Sequence, residues 1–354
     1  MLTSLISLLL AICLSLGLIL LLSRAFYKLD ILDNPKKYWK KRSPIPYSMG
    51  IIFFLCFFIL SFFFVEHTYK LYLLWIFWGM TTLVSFIDDL LKVSPKVRLI
   101  MQILIWAIIW ITSIKIWYVS NIFWWIIELE TYFIEIFSVQ VYLIPLFFTI
   151  FWYVFIFNAL NWSDGIQWNA SWLSLISFII IFLLGALLFY SDDYEWGVRN
   201  AEFIMWITAI LIWTLIPFWY FDFKEKILMW DSGTMFLGFM LASIAIISGW
   251  KVATVLVVFG IYSVDAIYVI VRRLMKRKNP MSWDFTHLHH RLLDLGITKN
   301  QVLALIYSLS FLFGISALFL DRAWKIIVFA IIVVVVIFMN RLVEVFRIKA
   351  KAWK

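Results

Sequence analysis

The sequence predicts an all-α integral membrane protein, a polytopic bundle of about eleven transmembrane helices, with the N-terminus outside and the C-terminus cytoplasmic. Three observations predict it. Of 354 residues, 65% are hydrophobic and 14% charged, whereas a soluble domain is about half apolar and about 25% charged. Apolar stretches long enough to cross a bilayer recur from one end of the chain to the other. Lys and Arg collect in alternate loops. No polar linker interrupts this pattern, so residues 1–354 read as one transmembrane domain.

In chain order, spans are expected near 2–23, 49–65, 71–88, 99–118, 140–160, 171–190, 201–221, 234–250, 252–271, 301–320 and 324–342. The first stretch lacks an early positive charge and a small-residue cleavage site, so it reads as a span and not as a signal peptide. Residues 121–139 alternate apolar and acidic side chains, which predicts an interfacial hairpin or a short amphipathic element. Cys13 and Cys56 both lie in apolar segments and suggest neither a disulfide framework nor a metal cluster. Eleven spans put the termini on opposite sides. With the N-terminus outside, the segments 24–48, 89–98, 161–170, 222–233, 272–300 and 343–354, with their flanking span ends, carry 24 of the 30 Lys and Arg. That asymmetry sets the orientation. It also accounts for the net charge of +9 without a nucleic-acid partner.

Four polar clusters then share the cytoplasmic side, which argues for one site. Asp88 and Asp89 close the third span, where ionisable side chains are expensive and imply function. A solvated helix end is the plainer alternative. Adjacent carboxylates do not share a helix face, so one can meet a metal or phosphate while the other meets a base. Lys96 and Arg98 follow closely and could hold phosphate oxygens. Asp231 opens Asp-Ser-Gly at the mouth of an apolar helix, which is equally an ordinary N-cap and an anion or Mg²⁺ position. Asn158 and Asn161 precede an Asp-Gly turn that Asp164 opens, and all three could hydrogen-bond a sugar or base. The loop with Asp284, His287, His289, His290 and Arg291 lacks the spacing of a helical zinc pair, and offers hydrogen bonds and positive charge to a pyrophosphate or sugar.

In the same chain order, DNPKKYWKKRSPIPYSMG, FIDDLLKVSPKVRLIMQ, NALNWSDGIQ, MWDSGTMFLGF and DFTHLHHRLLDLG resemble five motifs of the polyprenyl-phosphate N-acetylhexosamine-1-phosphate transferases, glycosyltransferase family 4. The likeness spans about residues 30–300. His-Leu-His-His-Arg is similar to the bacterial branch that starts O-antigen, common-antigen or teichoic-acid assembly. The resemblance implies transfer of GlcNAc-1-phosphate from UDP-GlcNAc to undecaprenyl phosphate, with Mg²⁺, or Mn²⁺ in its place, at the cytoplasmic face of the bacterial inner (plasma) membrane. A homodimer is compatible with it. By this resemblance Asp231, with Asp164, holds the metal, and Asp89 engages the lipid phosphate with Asp88 in support. Asn158, Asn161 and Gln167 contact the nucleotide, and His287, His289, His290 and Arg291 take the sugar-phosphate end. A phospho-N-acetylmuramoyl-pentapeptide transferase, a catalytically impaired homologue and an ion-coupled transporter are the alternatives. A transporter predicts internal repeats and acids near the midplane, and neither is visible in the sequence.

Two departures stand out. The family's second Asp after Asp-Gly-Ile is Gln167 here. Trp162, Trp168, Trp172 and Trp230 stand where the family carries small residues. The chain has 12 Gly and 21 Trp, against a usual ~7% Gly. The expectation is that several of these Trp are glycine positions, written by a UGA codon read with the wrong genetic code. If the tryptophans are genuine, the impaired-homologue reading gains.

Overall fold

The computed structural model describes residues 2–35, 42–94, 96–97, 99–104, 116, 118–120, 126–129, 132–136, 139–191, 195–248, 252–279 and 286–352. Helices dominate: α1 (Leu2–Lys28), α2 (Ile51–Phe64), α3 (Tyr69–Leu91), α4 (Leu143–Ser163), α5 (Asn169–Ser191), α6 (Glu195–Phe223), α7 (Trp230–Ile247), α8 (Val252–Val258), α9 (Gly260–Met275), α10 (Leu288–Asp294), α11 (Lys299–Phe319) and α12 (Arg322–Ala352). Between α3 and α4 lie two small antiparallel pairs, β1 (Tyr118–Ser120) with β2 (Ile126–Glu128) and β3 (Phe133–Ile136) with β4 (Val139–Tyr142). The alternating segment 121–139 therefore contributes strands, in keeping with a hairpin and with its period of two.

Among the described residues, eight of the expected spans correspond to helices long and apolar enough to cross a membrane. The segment 49–65 forms the shorter α2, of 14 residues. Most of 99–118 lies outside the described residues, although 99–104 are helical. The expected continuous span 252–271 needs correcting. It is broken at Phe259 into α8 and α9, which bend by 81°. Gly260 opens α9 at the break, where a Cβ would lie 2.8 Å from Ile332 of α12.

The bundle is organised around α7. Every residue from Ser232 to Ile247 is buried, with α3 and α4 packed along it. Small residues permit this close approach, as membrane interfaces require. A Cβ on Gly50, just before α2, would lie 2.0 Å from the Gly233 backbone nitrogen, so the start of α2 rests directly on the first turn of α7. The hydrocarbon offers no partner for polar groups, and some beside α7 are met internally: Trp152 Nε1 donates to the Ala242 carbonyl at 3.1 Å and the Tyr153 hydroxyl meets Ser243 at 2.9 Å. The outer helices behave oppositely. Phe63, Phe319 and Phe338 are largely exposed, a surface suited to acyl chains and not to water.

Candidate active site

Asp88 and Asp89 end α3, both buried. Asp88 Oδ1 accepts the Val93 N–H at 2.9 Å, and the Lys92 N–H closes back on the Asp88 carbonyl at 2.7 Å. Asp89 faces the other way, as adjacent helical residues must. Its Oδ1 accepts the Asp231 N–H at 3.2 Å, and its Oδ2 accepts the Ser232 N–H at 3.0 Å and the Ser48 hydroxyl at 2.5 Å. Asp89 thus caps the N-terminus of α7, where the first N–H groups lack partners and the helix dipole favours an anion.

That cap brings a second carboxylate alongside. Asp231 Oδ1 accepts the Asn161 amide at 2.7 Å, and the same amide nitrogen lies 3.0 Å from the Thr234 hydroxyl. Two neighbouring carboxylates repel, so the pair is a natural seat for positive charge. Tyr47, in the loop before α2, registers the same field: burial first, and then the Asp89 charge, push its phenol above the ordinary value.

The histidine loop is anchored separately. Asp265, buried in α9, accepts the Leu288 N–H at 3.1 Å and faces His287 Nδ1 at 2.9 Å. Because a carboxylate only accepts, the His287 proton sits on Nδ1. Arg291 donates to the Asn340 side chain and, at 3.1 Å, to its carbonyl, and the Asn340 amide reaches back to Asp265 at 3.5 Å. Both ring nitrogens of His289 are buried without a hydrogen-bond partner. Burial first, then the neighbouring His290 and His287, hold its pKa well below the ordinary value.

The end of α4 joins the two halves. Asn161 reaches Asp231, while one turn later Gly165 packs on the histidines. A Cβ there would lie 2.6 Å from His290 Nε2 and 2.7 Å from His289 Nε2. A side chain there would have to push both rings aside.

The structure therefore assembles Asp89, Asn161, Asp231, His287, His289, His290 and Arg291 around the ends of α3, α4, α7 and the α10 loop. Asp164 caps α4 beside them, its N–H donating to the Asn161 carbonyl at 3.1 Å. Asn158 lies a turn deeper and bonds the Val154 carbonyl and Gln102. Gln167 is buried with its amide 3.5 Å from the Asp222 carbonyl. Lys96 is exposed, and Arg98 and Asp284 lie outside the described residues. Sequence reasoning missed Ser48, Asp265 and Asn340. The latter two are lone polar residues in apolar spans, itself a signal of function. Among the described residues no three carboxylate, imidazole or thiol groups form a metal cage. The donor set still fits Mg²⁺, which takes one or two carboxylates and draws its remaining ligands from water and substrate phosphates.

Residues 71–249, half of the chain, match the family described as glycosyl transferase family 4, and the chain belongs to that family. The match takes in the Asp88-Asp89, Asn161-Asp164 and Asp231 segments. Among relatives, a probable undecaprenyl-phosphate N-acetylglucosaminyl 1-phosphate transferase of Bacillus subtilis (strain 168) is 26% identical over 266 residues, 73% of this chain and 68% of the relative. The undecaprenyl-phosphate alpha-N-acetylglucosaminyl 1-phosphate transferase of Salmonella typhi is 26% identical over 305 residues, 81% of this chain and 76% of its own. A phospho-N-acetylmuramoyl-pentapeptide-transferase of Borrelia garinii is 25% identical over 300 residues, 81% of this chain and 84% of its own.

Proposed function

We propose that the chain transfers N-acetylglucosamine 1-phosphate from UDP-GlcNAc to undecaprenyl phosphate at the cytoplasmic face of a bacterial plasma membrane, releasing UMP. The observation that carries this is the carboxylate pair Asp89 and Asp231 at the buried N-terminus of α7, with the histidine loop docked beside it through Gly165.

A phosphate monoester has its second pKa near ~6, so the lipid phosphate is mostly a dianion at neutral pH and needs no strong base. Its oxygen attacks the β-phosphorus of the donor. The new P–O bond forms as the bond to the UMP oxygen breaks, and UMP leaves with the electron pair. Such transfers depend on positioning and on neutralising charge. Asp231, with Asp164, would hold Mg²⁺, which when bound supplies the positive charge that offsets the phosphates. Asn161 fixes the Asp231 carboxylate. Asp89, with both oxygens engaged by α7 and Ser48, acts through that helix as a positioning residue. His290 and the Nε2 of His287 are the ring groups offered to the sugar-phosphate end, while Asp265 and Asn340 set their frame.

The pentapeptide-transferase reading has one observation in its favour, the coverage of 84% of such a relative. The test is UMP release by purified protein given undecaprenyl phosphate and either UDP-GlcNAc or UDP-MurNAc-pentapeptide, with and without Mg²⁺. Magnesium-dependent release from UDP-GlcNAc alone is expected. Release from the pentapeptide donor alone would replace the substrate and keep the chemistry.

A further inference from the structure

Among the described residues, seven other than glycine have a positive φ. Four of them close helices. Lys92 is the C-cap of α3. Asp30, Glu225 and Arg277 sit under the bonds from Ile31 N–H to the Phe26 carbonyl, Lys226 to Phe221 and Lys278 to Arg273. That is the ordinary left-handed ending of a helix. Ser48 lies in a loop. The remaining two are Trp168, at φ 65°, and Trp230, at φ 55°.

Neither closes a helix. Trp168 immediately precedes α5 and Trp230 is the first residue of α7, and helix entry calls for no left-handed residue. A bulky side chain there is a genuine outlier, because its Cβ crowds the following carbonyl, while glycine adopts the conformation freely. A second observation falls on Trp168. Its indole N–H is buried with no acceptor, a condition shared with Trp78 and Trp219, although buried Trp normally finds one. A third falls on Trp230. Its ring meets that of Tyr47 at a tilt of 40°, with centroids 4.3 Å apart, one residue before Asp231. Trp162 and Trp172 differ. Both lie in helical backbone, where nothing local asks for glycine; ring contacts do not separate the four, since Trp162 meets His287, Trp172 meets Trp219, and Trp168 meets Phe223 with centroids 4.4 Å apart.

We infer that residues 168 and 230 are glycines in the working enzyme, each specified by a UGA codon that the source organism decodes as Gly, and that the indole at 230 occupies the donor's path to Asp231. The last clause rests on the proposed function, whereas the glycine assignment does not. With Gly at 230 the α7 N-terminus opens beside Tyr47, and the helix keeps its cap from Asp89.

The test has two arms. The codons at 168 and 230 are read from genomic DNA, and the peptides covering them are weighed from protein isolated from the native cells. UGA codons with peptides of glycine mass are expected. UGG codons, or native peptides of tryptophan mass, overturn the inference. In the second arm the Trp168→Gly/Trp230→Gly protein is compared with the tryptophan chain in detergent. The midpoint of thermal unfolding should rise by a few degrees and UMP release should rise at least ~10-fold. A lower midpoint overturns the glycine assignment. A raised midpoint with no UMP from any UDP-N-acetylhexosamine leaves the assignment standing and overturns the proposed activity instead.

Discussion

The two halves of the site are built on opposite electrostatic plans. Around α7, two carboxylates are set side by side and tied mainly by backbone N–H groups, one hydroxyl and one amide. In the histidine half, each charged group already has a named counterpart, with Asp265 against His287 and Arg291 against Asn340. The first half concentrates negative charge at the N-terminus of a buried helix. The second is locked before any substrate arrives. Charge is thus concentrated where chemistry is proposed, and rigidity where recognition is.

Asp231 carries most of the difference between the halves. Asp231→Asn keeps the Asn161 contact geometry but removes a charge, so UMP release should fall by ~10³-fold or more with little change in thermal midpoint. An equal loss of stability would mean that Asp231 is merely a helix cap. Asp265→Asn should be milder, ~10–100-fold in rate, as for other residues that orient a functional His. Asp265→Ala should also destabilise by about 1–3 kcal/mol, because the Leu288 N–H and His287 lose a buried acceptor. Chemical denaturation alongside the assay separates the two variants.

The histidine half should also sense acid. His289 is held neutral in the folded chain, while the unfolded chain binds a proton near the ordinary pH of ~6.5. The unfolded state then binds more protons below that pH, so stability is complete above it and is lost as pH falls, by up to about 1.4 kcal/mol per unit. Thermal midpoints measured from pH 7.5 to 5 should fall, and His289→Gln should flatten the curve. The smallest effect is expected at Lys96, which the structure leaves exposed. Lys96→Gln should change the rate less than ~3-fold, and a large loss would return it to the phosphate site.

Most of the fold was legible because lipid imposes a simple rule on length and composition. The break at Phe259 was not, since residues 255–258 before it are apolar, the polar Ser263 and Asp265 come only after it, and Gly260 alone is a weak mark. Of the site, the acidic and histidine motifs were readable from residue type. Their division of labour was not. Nothing in Asp-Asp says that Asp89 turns toward α7 and Asp88 toward Val93. Ser48 carries no signal at all, since a serine in a polar loop is ordinary until Asp89 is brought beside it by α3. Asp265 and Asn340 were visible as lone polar residues in apolar runs and should have been weighed as such.

The burial of α7 carries one more consequence. A helix that touches only other helices is freed from the need to please lipid, and it is bound instead by the shapes of its neighbours. Variation over generations should therefore be uneven across this molecule. On the exposed face of α12, at Val334 or Phe338, one greasy residue can replace another at little cost, whereas along α7 even the exchange of Gly238 for alanine must be answered by a shift of Phe157 on α4.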